Sequence, residues 1–175
     1  MAKNLKVVLL GYMASGKSTV GRQLASALDM TFIDLDEAIA QDVGLSVPRI
    51  FQEKGELFFR KKETEVLNAL LSSNGNLVLA LGGGTPCYGV NMDTVLAKTA
   101  HSVYLKLSIA KLLERISNEK SERPLVANIS DEDLPEFIGK HLFERSPFYN
   151  KASYILTCDD KSVDDIVEEV TKRLI

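Results

Sequence analysis

Cysteine and histidine are scarce, with two of each among 175 residues. Cys87 and Cys158 cannot build a disulfide framework, so two free thiols in a cytosolic protein are expected. His101 and His141 stand far from both cysteines and from each other. They show no metal-ligand spacing and read as surface or half-buried imidazoles. An excess of one charge is also missing. Lys and Arg total 21 against 24 Asp and Glu, a net charge of −3. A polyanion binder would need a local basic patch, and no nucleic-acid partner is expected. No apolar run approaches the roughly 18–20 residues of a membrane-spanning helix, so no membrane partner is expected. The start, residues 1–6, leads into only five apolar or small residues before Tyr12. That is too short for a secretory signal, and no Arg/Ser-rich transit stretch accompanies it, which points to the cytoplasm. Hydrophobic residues at 45% and charged residues at 26% are ordinary globular values, which excludes disorder and a collagen-like chain.

Linkers are absent too. No Pro/Gly/Ser-rich stretch, repeat or low-complexity segment divides the chain, so a single domain over 1–175 is expected. Short apolar runs alternate with helical patterns. Residues 5–10 read as a buried strand bounded by Gly11, and 17–28 as a helix with Val20, Leu24 and Leu28 on one face. Phe32-Ile33 is a short strand running into Asp34-Leu35-Asp36, with a helix to about Asp42 stopped by Gly44. Ser46-Val47-Pro48 starts another helix, and 56–71 carries a long one. Residues 77–81 form a strand that ends in Gly82-Gly83-Gly84. Strands at 101–107 and 154–157, helices at 109–116, 134–144 and 163–174, and an exposed polar loop over 117–131 complete the reading. The alternation predicts an α/β fold: a parallel sheet of five strands between two helical layers. Ligands on such sheets bind at the carboxyl ends of the strands. Three of those ends are unusual here: Gly11 to Ser18, Asp34 to Asp36, and Gly82 to Gly84.

Gly11-Tyr12-Met13-Ala14-Ser15-Gly16-Lys17-Ser18 fits G-x-x-x-x-G-K-[ST] in full, after a strand and before a helix. The chemistry needs these residue types. The loop turns its backbone N–H groups inward on phosphate oxygens, and the helix N-terminus adds partial positive charge. Lys17 reaches the β- and γ-phosphates, and Ser18 offers a hydroxyl to Mg²⁺. A chance match in a chain of this length is roughly a one-in-a-hundred event. A nucleoside triphosphate with Mg²⁺ is therefore expected.

The other unusual strand ends separate the classes that share this loop. A GTPase would usually carry N-K-x-D, which is absent, and the strand at 77–81 ends in glycines rather than an acid. The acidic pair sits at Asp34 and Asp36. If the segment stays extended, their spacing puts both on one side, facing the triphosphate. One carboxylate could then hold metal-bound water while the other takes the proton of an attacking hydroxyl. The competing reading is a helix N-cap with a first-turn carboxylate, and both can hold together. Gly82-Gly83-Gly84 marks either close approach of a substrate or a tight turn. Arg60, Arg115, Arg123 and Arg145 are, taken singly, ordinary solvated charges. The loop position of Arg123 favours a lid that brings a guanidinium onto the transferring phosphoryl group.

In these motifs, in their order and spacing, the chain resembles the shikimate kinases over nearly its whole length. The likeness rests on Gly11 to Thr19 with Val20-Gly21-Arg22, on Phe32-Ile33-Asp34-Leu35-Asp36, and on Ile50-Phe51 followed by Gly55-Glu56 and Phe59-Arg60. It continues through Gly82-Gly83-Gly84, Arg123-Pro124-Leu125 and Arg145-Ser146-Pro147-Phe148-Tyr149. The resemblance implies a P-loop NTPase fold of the nucleoside-monophosphate-kinase type, with a substrate-binding helical segment at about 34–62 and a mobile lid at about 117–131. It implies transfer of the γ-phosphoryl of ATP to the 3-hydroxyl of shikimate by a monomer. Gly11, Ala14, Ser15, Gly16, Lys17, Ser18 and Thr19 would hold ATP, with Arg115 stacking on adenine and Arg123 as the lid arginine on the phosphates. Ser18, and Asp34 through water, would hold Mg²⁺. Asp36 would bind the acceptor hydroxyls and act as base, Arg60 and Arg145 would clamp the substrate carboxylate, and the glycine triplet would contact the substrate. Lys17, Asp36 and Arg123 would be the catalytic set. Ala14 departs from the family, which commonly has glycine there, and Cys158-Asp159-Asp160-Lys161 follows the family's adenine-side loop only loosely. The competing functions are a gluconate or other sugar-acid kinase and a non-catalytic nucleotide-dependent switch.

Overall fold

The computed structural model describes residues 4–174. Residues 1–3, part of the reading of the amino terminus, and Ile175 lie outside the described residues. Five parallel strands form one sheet in the order β2-β3-β1-β4-β5. They are β1 (Lys6–Leu10), β2 (Thr31–Asp34), β3 (Leu77–Ala80), β4 (His101–Lys106) and β5 (Tyr154–Thr157). The helices are α1 (Lys17–Ala27), α2 (Leu35–Val43), α3 (Val47–Lys54), α4 (Glu56–Ser72), α5 (Asn91–Lys98), α6 (Ile109–Asn118), α7 (Leu134–Tyr149) and α8 (Val163–Leu174). Every residue of the central strand β1 is buried, as an unbroken apolar run covered on both faces should be. Even Lys6 is buried, because its ammonium donates to the Gly75 carbonyl at 2.7 Å just beyond the end of α4. No helix among the described residues is long and apolar enough to cross a membrane.

The strand order decides where a ligand can sit. The chain leaves β1 through α1 toward β2 on one side and returns from β3 to β4 on the other. The crevice between the carboxyl ends of β1 and β3 is the switch point. Leu9 and Ala80 are register partners there, which brings the loop after β1 beside the glycines after β3.

Three expectations need correction. Asp34 and Asp36 do not lie on one extended strand, because β2 ends at Asp34 and α2 begins at Leu35. The N-cap reading holds: one Asp34 oxygen accepts from the backbone N–H of Asp36 and Glu37 at 3.0 and 3.2 Å. The helix at 134–144 runs on through Pro147 to Tyr149. Tyr149 is fully buried and donates its phenol proton to the Gly83 carbonyl at 2.6 Å, a tertiary anchor that extends the last turn. Finally, the loop at 117–131 is not exposed throughout. It holds a short 3-10 turn (Lys120–Glu122), and Val126 is completely buried in the core. Helix α5 stands where no element is foreseen. Both cysteines are free, as expected.

Candidate active site

The loop between β1 and α1 has the shape its sequence requires. Gly16, the N-cap of α1, takes φ 90°, and no side chain caps the helix. The first-turn N–H groups are thus left for an anion. Ala14 takes φ 62°, one of two described non-glycine residues with positive φ. An alanine there carries a cost of about 1–2 kcal/mol that glycine would avoid, so the departure from the family's glycine keeps the conformation at the expense of strain. Lys17 folds its ammonium back onto the Gly11 and Tyr12 carbonyls at 2.8 and 2.9 Å. Burial lowers its pKa to about 8, against the opposing pull of Asp36 and Asp34. Arg115 donates to the Ala14 carbonyl at 3.1 Å. Thr19 sits exposed in the first turn of α1, and Ser15 is buried within the loop.

Asp34 divides its oxygens between two tasks. Oδ1 caps α2, and Oδ2 accepts from the Ser18 hydroxyl at 2.6 Å. A hydroxyl and a carboxylate paired beside a phosphate-shaped loop are hard oxygen donors, few enough to leave room for water and phosphate, which suits Mg²⁺. Asp36, in the first turn of α2, faces the crevice. Burial, and then the charges of Asp34 and Glu63, push its carboxyl up to about 6, while Lys17 and Arg60 pull it down.

The glycine triplet does form a turn, closed by the Thr85 N–H on the Gly82 carbonyl at 3.1 Å, and side chains also approach it closely. None of Gly82, Gly83 or Gly84 has a positive φ, so no left-handed turn demands glycine. What demands it is room. A Cβ on Gly82 would lie 3.0 Å from an Asp36 oxygen, and one on Gly83 would lie 3.0 Å from Arg145 Nη1. A Cβ on Gly84 would lie 2.8 Å from Arg60 Nη2 and 3.3 Å from Arg145 Nη2. Two guanidinium groups, one from α4 and one from α7, therefore converge on a single backbone position. Like charges so placed call for an anion between them.

Sequence reasoning misses the group that holds Arg60 there. Glu63, one turn along α4 and only 1% exposed, accepts from Arg60 Nη1 at 2.8 Å. Its other oxygen accepts from the Thr85 hydroxyl at 2.7 Å, and Asn91 of α5 holds the Thr85 carbonyl at 3.0 Å. The i,i+3 spacing of Arg60 and Glu63 is the signal that could have found it. Tyr12 and His141, 2.9 Å apart, tie the phosphate loop to α7. Burial, with Arg145 nearby, lowers the His141 pKa.

Asp36, Arg60, Glu63, Gly82–Gly84, Tyr88, Arg123 and Arg145 line one cavity of about 960 Å³. Arg123 stands on its rim and is paired with Glu119, with Nε at 3.1 Å. The structure thus brings together Lys17, Ser18, Asp34, Asp36, Arg60, Gly82–Gly84 and Arg145. Arg115 is held against the loop by its bond to the Ala14 carbonyl, and Arg123 lines the cavity while paired with Glu119.

The family model described as shikimate kinase matches residues 13–175. The shikimate kinase of Flavobacterium psychrophilum is 45% identical over 169 residues, covering 97% of this chain and 98% of that protein. That of Flavobacterium johnsoniae is 44% identical over 165 residues, covering 94% and 96%. The crystal structure of shikimate kinase from Bacteroides thetaiotaomicron superposes with a TM-score of 0.86 at 33% identity, covering 97% of this chain and 96% of that one. The Acinetobacter baumannii shikimate kinase, solved in complex with shikimate, superposes with a TM-score of 0.86 at 32% identity, covering 99% and 94%. In sequence and in topology, the chain belongs to the shikimate kinase family.

Proposed function

We propose that the chain transfers the γ-phosphoryl group of ATP to the 3-hydroxyl of shikimate, as a cytoplasmic monomer, through the pocket between the phosphate loop and the glycine triplet. The observation that carries this reading is the meeting of Arg60 and Arg145 at Gly84, beside an Asp36 carboxyl resting on Gly82. A carboxylate acceptor bearing alcohols satisfies both guanidinium groups and presents a hydroxyl to the aspartate.

The roles divide by position. Gly11, Ala14, Ser15, Gly16, Ser18 and Thr19 shape the phosphate cradle, and Lys17 leaves its two loop carbonyls for the β- and γ-phosphates. Arg115, bonded to the Ala14 carbonyl of the loop, would stack on the adenine. Ser18 and Asp34 would hold Mg²⁺, which supplies positive charge to the phosphate oxygens when bound. Arg60 and Arg145 fix the acceptor by its carboxylate, and the backbone of Gly82–Gly84 lets it lie close. Asp36 accepts the proton of the attacking hydroxyl, a task suited to a base whose pKa lies near the working pH. Arg123, on the segment 117–131, releases Glu119 and moves onto the transferring phosphoryl group. That pair is partly exposed and holds the arginine with only about 0–1 kcal/mol.

ADP release measured with shikimate beside gluconate tests the assignment. Turnover with shikimate is expected. Turnover with gluconate alone would overturn the acceptor, and tight ATP binding with no acceptor-dependent turnover would favour a nucleotide switch.

A further inference from the structure

The rim of the acceptor pocket carries an aromatic ring with no role in the reading above. Tyr88 directly follows the 3-10 turn (Thr85–Cys87) that continues the glycine triplet. Arg60 Cζ lies 3.9 Å from the centroid of its ring, against 5.3 Å from Phe59. The Tyr88 hydroxyl donates to Glu56 Oε1. That same oxygen stands 3.8 Å from Arg60 Nε, outside hydrogen-bond range, and Nε is buried with no hydrogen-bond partner. The guanidinium is thus held at Nη1 by Glu63 and against one face by Tyr88, while a second carboxylate waits just off its Nε edge.

We propose that Tyr88 is a positioning residue for the acceptor carboxylate: its ring fixes the plane of Arg60, and its hydroxyl keeps Glu56 from closing onto Nε. The physical reason is competition. Glu63 already engages Nη1, and a second internal carboxylate at hydrogen-bond distance would leave the incoming acid less to bind. The ring supplies the plane, because a guanidinium packed on an aromatic face loses the freedom to tilt away from a fork-on-fork contact. This rests on Arg60 being part of the carboxylate clamp.

The test compares Tyr88→Leu, Tyr88→Phe and Tyr88→Phe combined with Glu56→Gln, with Arg60→Lys as a reference. Shikimate affinity is read by calorimetry, and KM and kcat by steady-state kinetics. Tyr88→Leu should raise both Kd and KM for shikimate about five- to tenfold, with kcat and the KM for ATP within about twofold. Tyr88→Phe keeps the ring and should weaken shikimate about two- to threefold, a loss that Glu56→Gln should reverse. Arg60→Lys should weaken shikimate at least as much as Tyr88→Leu. Normal shikimate affinity in Tyr88→Leu beside a weakened Arg60→Lys would overturn the role of Tyr88 alone. Normal affinity in Arg60→Lys would overturn the clamp and this proposal with it. Equal losses for ATP and shikimate in Tyr88→Leu would mark a merely structural ring. A Tyr88→Phe defect that persists with Glu56→Gln would overturn the part assigned to the hydroxyl.

Discussion

Asp36 sits where burial and two neighbouring acids disfavour its charge, and its carboxyl is pushed up to about 6. In an unfolded chain the same group ionises near its ordinary value, so the folded protein binds its proton more tightly. Ionised Asp36 therefore destabilises the fold. The penalty is absent below about pH 4, grows between about 4 and 6, and is complete above. A base useful at neutral pH is in this sense a strained residue. Asp36→Asn should lower kcat by roughly 10² or more. It should also stabilise the fold at pH 8 by about 1–3 kcal/mol, a rise of several degrees in Tm that fades by pH 4. Melting curves at the two pH values check this, and an unchanged kcat would remove Asp36 as base. For the unaltered enzyme, kcat/KM should rise with pH through about 6 as the base ionises. Asp34 offers no such separation. One of its oxygens caps α2 and the other holds Ser18, so its replacement would disturb helix and cradle together. Glu63 is similar, since removing it would leave a nearly buried Arg60 without its 2.8 Å partner.

At the scale of elements, the segment after β3 shows how little room the site leaves. A methyl on Gly84 would come 2.8 Å from Arg60 Nη2 and 3.3 Å from Arg145 Nη2. Both are ends of flexible side chains, so Gly84→Ala should fold. The guanidinium groups would have to part, and the KM for shikimate should rise tenfold or more while ATP binding stays near normal. Kinetics with each substrate varied in turn would check it, and an effect on ATP alone would mean that the triplet serves the nucleotide. Much of this architecture is legible in the sequence, because period and punctuation are local signals. Buried strands, the loop between β1 and α1, and the helix starting at Ser46 all announce themselves within a few residues. What stays hidden is decided at a distance. The final turn of α7 looks forbidden by Pro147, yet the buried Tyr149 and its bond to Gly83 secure it. The spacing of Asp34 and Asp36 suggests a strand, but the N-cap bonds of Asp34 start a helix between them. Glu63 looks like one more charge on a charged helix until Thr85 and α5 close over it. Helix α5 itself has too short an apolar stripe, Met92 and Val95, to stand out.

For the molecule as a whole, the sheet order places donor and acceptor halves on opposite sides of one crevice. The phosphate loop hangs from β1, the proposed acceptor groups come from α2, α4, the glycines after β3 and α7, and Glu122 to Leu125 of the segment 117–131 line the same cavity. Of the proposed catalytic groups, Lys17 has only to leave its two loop carbonyls, whereas Arg123 would move with its segment. Arg123→Ala should cut kcat by about 10³, while the Kd for ATP, read by calorimetry, changes less than about threefold. An unchanged kcat would place the arginine outside the reaction.

Val126 limits how that travel can happen. Its side chain is wholly enclosed by the core, and its N–H is bonded to the Arg123 carbonyl at 3.1 Å. The span is therefore no single flap hinged at its two ends but a pair of short levers sharing a fulcrum. Arg123 rides three residues from that pivot, which limits its backbone excursion to about 10 Å at full stretch. The swing can then be small and quick, with the arginine's own length covering the remaining gap.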